Sequence, residues 1–398
     1  MLISFLKRSF VFAGSTVLFS AVRQLIFLPF VAGIDDNLFS QIALLVFTID
    51  ALIYSVAGSI SDYYLRNYKF NEIESTIPLS LFSLLCLAFI PYFCYKGFGL
   101  AISLIISSYM VFISLNSLFL KPVFNRLKFE INYVYIIFRL APYLSIIFLL
   151  KSSLVENSNV VFVFSTSLLL FECVFLALLL FFIYKKIFGS TIVSLLLSLR
   201  SQIHQIHIPK LSKGVLMFSA LYLAMGYVQR ADILLVETFY ESDFVEYAKF
   251  FSVIGFFCNP IAMLFSSSLL SYISNKNISL QASIRLFFLP FFIMSLVVSL
   301  FSILCYPFVF SMLYEGESPI PTHYVGIIVL TTVLYLLFKT LVVKYSSMNK
   351  ILISNVLLLG FSVLLISFKL LDLYSFVLTF VIARCGAYLA CYIIEAKG

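Results

Sequence analysis

The sequence predicts an all-α polytopic membrane protein, with twelve transmembrane helices in two six-helix lobes arranged as parallel repeats around a central cavity. Three observations predict it. Of 398 residues, 62% are hydrophobic and 11% charged, with a mean hydropathy of +1.10; a soluble chain carries about a quarter charged residues. Apolar stretches near the ~20 residues that cross a bilayer recur along the whole chain. A layout of an arginine inside an apolar helix, followed by an acidic turn, occurs twice, 207 residues apart.

The spans fall at about 9–31, 38–60, 77–97, 98–120, 132–151, 160–184, 214–238, 245–271, 284–307, 323–343, 351–370 and 373–393. The first is too long for a removable signal peptide and no small-residue cleavage site follows it, so it is expected to stay as span 1. Spans 3 and 4 meet at Tyr95–Gly99, where Lys96, Gly97 and Gly99 predict a tight hairpin. Pro29, Pro91, Pro142, Pro260 and Pro290 lie within spans, as in helices that bend around a cavity. The longest connection, roughly 185–213, contains IVSLLLSLRSQIHQIHI, too short to span and flanked by basic residues, so an interfacial helix is expected there. It divides the chain into an N-terminal lobe, 1–188, holding spans 1–6; a cytoplasmic interfacial linker, 189–213; and a C-terminal lobe, 214–398, holding spans 7–12.

Charge tests this count, because cytoplasmic loops of membrane proteins carry the excess of lysine and arginine. With both termini cytoplasmic, 17 of the 26 basic residues fall in cytoplasmic segments and only Lys96, Lys151 and Lys369 in outer loops. Acidic residues run the other way: Asp35, Asp36, Glu156, Glu241, Asp243, Glu315, Glu317 and Asp372 all fall outside. A wrong span count would scramble the alternation from that point onward, and it holds to the C-terminus. With no Trp and 24 Tyr, tyrosine must supply the interfacial aromatic residues.

The remaining six basic residues lie within spans. Lys249, near the outer end of span 8, and Lys339, near the inner end of span 10, can reach the interface along their flexible stems, which is a structural role. Arg23, Arg230, Arg139 and Arg384 lie deeper, as do Asp50, Glu172 and Asp232. Ionised groups at such depth are costly unless they face a partner or a polar cavity. Helical spacing places Ala13, Thr16, Ser20 and Arg23 on one face of span 1, and Ser219, Tyr222, Gly226 and Arg230 on one face of span 7. Asp50 lies above Tyr54 and Gly58, and Arg139 between Tyr135 and Tyr143. Small or hydroxylated stripes leading to a charge suit a wet lumen. Ion pairs that merely lock the bundle, such as Arg23 with Asp50, are the alternative. Four arginines against three carboxylates leave one positive charge in excess. Arg230 and Asp232 are two apart on a helix and point to different sides, so they should not neutralise each other.

Several function classes are excluded. The net charge of +8 is spread over short loops and forms no stripe of the kind that tracks phosphates, so no nucleic-acid partner is expected. The seven cysteines lie in or at the edges of spans, without the spacing of a zinc or redox site. His204 and His207 have no third ligand nearby, so no metal is expected. No GxxxxGK[ST] sequence exists, hence no ATPase of the chain's own and no cofactor.

Arg230, Asp232 and two apolar residues, then an acidic turn, then VEYAKFFSVIGFFCNPIAMLFSSSLLSYIS (Val245–Ser274), resemble the seventh and eighth helices of bacterial O-antigen and polysaccharide flippases. The GSTVLFS…LPF run of span 1 (Gly14–Phe30) and span 2 also fit, and order, length and topology agree over the whole chain. These flippases share the multidrug/oligosaccharidyl-lipid/polysaccharide exporter superfamily with lipid II flippases and drug extruders. The chain lacks the two extra helices of typical lipid II flippases and the span 1 acidic residue common in drug extruders. The resemblance implies passage of undecaprenyl-pyrophosphate-linked O-antigen or capsular repeat units across the bacterial inner membrane. It implies a cationic cavity onto which Arg23 and Arg230 map, with Arg139 and Arg384 as further substrate-binding candidates. Membrane lipids, a polysaccharide polymerase and a chain-length regulator are the expected partners.

Chemistry supports an anionic cargo, because a diphosphate entering hydrocarbon needs fixed cations and arginine never deprotonates. Asp50, Glu172 and Asp232 are the candidates for coupling to a proton or sodium gradient, since buried carboxylates can titrate near neutral pH. Two rivals stand beside this expectation. A membrane-embedded polymerase would carry a large, arginine-rich outer loop, whereas the outer loops here are short and acidic. A drug/cation antiporter would need a cavity dominated by acids.

Overall fold

The computed structural model describes residues 14, 17–58, 60, 79–125, 130–183, 208–263, 288–316, 318, 320–345, 348–367 and 371–397. Among them, each expected span is met by one helix and no strand occurs. Helix α1 is Val17–Ala32, α2 Asp36–Gly58 and α3 Leu81–Tyr95. Then come α4, Leu100–Asn125; α5, Glu130–Lys151; α6, Val160–Leu178, extended by a π turn over Leu179–Ile183; and α7, Ile208–Phe239. The rest are α8, Phe244–Met263; α9, Leu289–Tyr314; α10, Thr322–Tyr345; α11, Met348–Ser367; and α12, Leu373–Lys397. The expected interfacial helix within 189–213 lies outside the described residues except for its end, where α7 already begins.

Seven of these helices are long and apolar enough to cross a membrane by length and composition alone. Helices α7 and α8 are not among the seven, because Arg230, Asp232, Glu237, Glu246 and Lys249 dilute their apolar windows. Charge held inside a membrane helix is the usual mark of function rather than of anchoring.

Proline chemistry explains where the helices depart from regular α geometry. Pro29 has no N–H to give, and just before it the Leu28 N–H reaches back to the Arg23 carbonyl, closing a π turn over Ala21–Phe27. Pro91 cannot claim the Leu87 carbonyl, so the Ile90 N–H takes it and α3 runs as a 3-10 helix over Leu81–Phe89. Span 9 does not stop at Pro307: α9 continues to Tyr314 and ends where Glu315 turns left-handed at φ 48°. A helix in lipid has no water to satisfy its freed carbonyls, so it tolerates the proline rather than fraying.

The connecting turns use capping chemistry. Gly97, at φ 86°, closes the α3–α4 hairpin, with Phe98 N–H on the Phe93 carbonyl (3.1 Å). Before α2, the Asp35 carboxylate accepts the Asn37 N–H (3.1 Å) and Asp36 sits in the first turn. Before α8, Glu241 and Asp243 occupy the entry turn. Acids at helix starts complement the helix dipole, which gives each acidic turn a local structural reason.

Two compact units divide the chain. The first comprises Met1–Phe47 with Val228–Gly398, the second Thr48–Tyr227. In the first, α8 packs on α1, α9 and α10, while α10 and α11 pack on α12. In the second, α4 is central, against α3, α6 and the end of α2, and α5 packs on α6. Helix α9 shows the construction. Leu289, Ile293, Val297, Leu300, Leu304, Phe308 and Met312 are exposed on one face, while Ser295, Ser299, Ser302, Tyr306 and Phe310 are buried on the other. The greasy face looks outward and the hydroxylated face inward, the reverse of a soluble helix. Two of the buried serines satisfy themselves on the preceding turn, Ser295 on Phe291 O and Ser302 on Val298 O, both at 2.7 Å, while Ser299 donates across to the Gly326 carbonyl of α10.

Candidate functional site

In the first compact unit, helix α8 gathers the buried charges. Tyr247, Phe251, Gly255 and Cys258 recur at helical spacing and form one stripe. The Tyr247 hydroxyl donates to Asp232 Oδ2 at 3.0 Å. One turn on, the Arg230 guanidinium lies over the Phe251 ring, 5.1 Å from its centroid. The next turn offers Gly255, where any Cβ would run into the side-chain amide of Gln24. Asp232 therefore finds its partner on α8 rather than on its own helix, as the spacing of Arg230 and Asp232 anticipated. Phe47 closes on the edge of Phe251 at 5.1 Å.

Arg23 and Gln24 sit in the π turn of α1, and both are buried. The Arg23 guanidinium lies over Phe19, 5.2 Å from the ring centre. Gln24 was not singled out from sequence, yet among the described residues neither its amide nitrogen nor its amide oxygen finds a hydrogen-bond partner. A fully buried amide in that state is rare; its adjacency to Arg23 in an otherwise apolar run was the available signal. Ala13 and Thr16 lie outside the described residues, while Ser20 is buried as expected.

Arg384 of α12 is tied to α7 at the turn that carries Arg230. Its guanidinium donates to the carbonyls of Gln229 (3.1 Å) and Val228 (3.4 Å) and to Thr332 Oγ1 (3.3 Å), and it lies over Tyr335 at 4.5 Å. Lys339 of α10 donates to Gln229 Oε1 at 2.8 Å. It reaches across to α7 where an interfacial position was expected. Gln229 thus receives two cations, one on its backbone and one on its side chain. Among the described residues of this unit, the buried charged side chains are three arginines, Arg23, Arg230 and Arg384, and one carboxylate, Asp232.

The second unit holds the other candidates. Glu172 of α6 is buried, accepts a short hydrogen bond from the Asn116 side-chain amide, and faces the Tyr135 hydroxyl at 3.5 Å. Arg139 Nε stands 3.6 Å from Glu172 Oε1, and the guanidinium lies over Tyr135 at 5.7 Å. The structure thus sets the predicted substrate contact, Arg139, beside the predicted coupling group, Glu172. Asn116, a lone amide in the apolar α4, was missed. Asp50 is half-buried in α2, just before the π turn Tyr54–Gly58. Among the described residues, no group of three or more histidine, cysteine or acidic side chains could hold a metal.

No known protein family matches the sequence, and no curated protein matches it either. Solved structures do match in shape. One, described as the inward-facing conformation of a multidrug resistance MATE family transporter of the MOP superfamily, superposes with a TM-score of 0.59 at 12% identity. The match covers 98% of this chain and 97% of that one. A second, the eukaryotic MATE transporter AtDTX14, gives 0.56 at 10% identity, over 99% and 96% of the two chains. At such identity the likeness speaks for the fold alone. This is the all-α, multi-pass membrane fold of those transporters, with twelve helices in two lobes.

Proposed function

We propose that this protein is a flippase that carries undecaprenyl-pyrophosphate-linked O-antigen or capsular oligosaccharide across the bacterial inner membrane by alternating access. The observation that carries the reading is the burial of three guanidinium groups, Arg23, Arg230 and Arg384, in the first compact unit. A guanidinium stays charged and presents planar, multi-donor hydrogen bonding, which suits a diphosphate cargo. The fold supports the transporter class, since alternating access needs two lobes that can rock. In this reading Arg23, Arg230, Arg139 and Arg384 bind the diphosphate. Asp50, Glu172 and Asp232 are the groups available to a proton or sodium gradient. Both termini face the cytoplasm, and a polymerase and chain-length regulator work on the delivered glycan.

A drug/cation antiporter is the second reading, favoured by the multidrug transporter among the similar structures. A cationic cargo would meet three buried arginines, which argues against it. A strain lacking the protein separates the readings. The flippase predicts no repeat units at the surface and lipid-linked intermediate trapped on the cytoplasmic leaflet. One-unit surface products would instead identify a polymerase. Unchanged surface glycan with new sensitivity to cationic dyes would identify the antiporter.

A further inference from the structure

The Arg139–Glu172 pair differs from a bundle-locking ion pair in two respects. First, it is loose: a charge-assisted N–H···O bond spans roughly 2.7–2.9 Å, whereas Nε stands 3.6 Å from Oε1. The tight partner of the carboxylate is the neutral Asn116 amide. Second, it is lopsided. The Arg139 side chain is 22% exposed and that of Glu172 only 4%. Arg139 is thus the more accessible member of the pair.

Among the described residues, three helices surround the carboxylate. Helix α4 contributes Asn116 and Tyr109, whose hydroxyl also meets the Arg139 guanidinium; α5 contributes Tyr135 and Arg139, with Tyr143 on the Arg139 side; α6 itself adds the neighbouring Cys173. Arg139 is the one cation among them. If an incoming anion claims that guanidinium, Glu172 is left as a buried carboxylate facing an amide and the phenols of Tyr135 and Tyr109. An uncompensated charge in such a place is costly, and a carboxylate escapes the cost by protonation.

We propose that Arg139 and Glu172 form a proton-linked anion site: a diphosphate-bearing ligand takes the Arg139 guanidinium, and Glu172 takes up one proton from solution. On release the proton leaves and the pair re-forms. No covalent bond changes. The ligand class rests on the flippase reading, while the linkage rests on the geometry of α4, α5 and α6. Because α4 and α6 form the centre of their unit, such a site would report ligand occupancy to the helices that carry it.

The test uses the purified full-length protein in lipid nanodiscs. Farnesyl diphospho-N-acetylglucosamine is titrated calorimetrically near pH 7 in buffers of differing ionisation enthalpy. Its diphosphate is a diester without ionisation in that range, so protons counted belong to the protein. The expected result is about one proton taken up per ligand by the native protein, and an affinity that falls up to ~10-fold per pH unit on the alkaline side. Glu172→Gln, whose amide oxygen can still accept from Asn116 while its NH2 faces the Tyr135 oxygen, should bind without uptake; Arg139→Gln should lose both. UDP-N-acetylglucosamine, a diphosphate diester without a lipid, forms the second arm. Uptake with both ligands assigns the site to the diphosphate, and uptake with the farnesyl ligand alone assigns it to a lipid headgroup. Binding without proton uptake, uptake that persists in Glu172→Gln, or no binding of either ligand overturns the proposal. If the glutamine variant fails to accumulate, the pH dependence of the native affinity decides. Binding without uptake leaves the flippase reading intact, since that reading is judged by the deletion strain.

Discussion

Lys249 Nζ lies 2.8 Å from Asp36 Oδ1, an ion pair that spans 213 residues and joins the acidic turn of the first repeat to α8 of the second. The ammonium also lies 5.9 Å from the centre of the Phe39 ring, one turn along α2. Phe39 meets the edge of Tyr314 at 6.4 Å, and the Tyr314 hydroxyl lies 2.6 Å from Ser252 Oγ. A charged contact and an aromatic contact thus hold the start of α2 to α8 and α9. Asp36 is 64% exposed, so solvent screens the charged part. Exposed pairs of this kind contribute up to about 1 kcal/mol. A double-mutant cycle on Asp36→Asn and Lys249→Met, read by thermal unfolding, should give a coupling no larger than that and diminished by salt. The charge-reversed pair, Asp36→Lys with Lys249→Asp, should restore it.

Charge removal on the α8 stripe should behave differently. Arg23→Ala and Arg230→Ala are expected to abolish glycan export while the protein still inserts and accumulates. Lys249→Ala, whose partner is solvent-exposed, should leave export within about twofold, consistent with so small a pair energy. Surface glycan and membrane abundance, measured together in complemented deletion strains, check this. Arginine variants that simply fail to accumulate would assign those residues to folding.

The α9–α10 contact depends on a glycine. A Cβ at Gly326 would run into the Ile303 Cδ1 methyl, and Ser299 Oγ donates to the Gly326 carbonyl at 2.8 Å. Gly326→Ala should destabilise by about 1–3 kcal/mol, the usual range for overpacking. Gly326→Leu should prevent accumulation. The double variant Gly326→Ala with Ile303→Val should recover part of the loss in detergent-solubilised melting curves.

Topology is open to direct labelling. Cysteines introduced at Asp36, Asp243 and Glu315 should react with an impermeant maleimide in intact cells, and cysteines within 185–213 or at Lys397 only after lysis. A reactive 185–213 segment in intact cells would overturn the span count.

Hydropathy determined the number of helices and the stretch in which each lies, while limits such as the run of α9 on to Tyr314 and the early start of α7 at Ile208 were not legible. Each helix in lipid must satisfy its own backbone, so length and apolarity suffice to find it. The place of Arg23, Arg139, Arg230 and Arg384 within their spans, away from the helix ends, was legible too, because position along a helix follows from residue number. Partners were not. Nothing local joins Arg139 to Glu172, Asp232 to Tyr247, or Asp36 to Lys249, since each pair is made by packing between helices. Gln24 and Asn116 escaped notice for the same reason: an amide becomes conspicuous only when its neighbours are known. Proline marked where α1 and α3 would leave α geometry, but tertiary packing decided whether each break became a π turn, a 3-10 run or, as at Pro307, no end at all. The sequence determined which groups the bilayer would penalise, because transfer energy belongs to the residue itself. The tertiary structure decided how each is compensated, because compensation belongs to pairs.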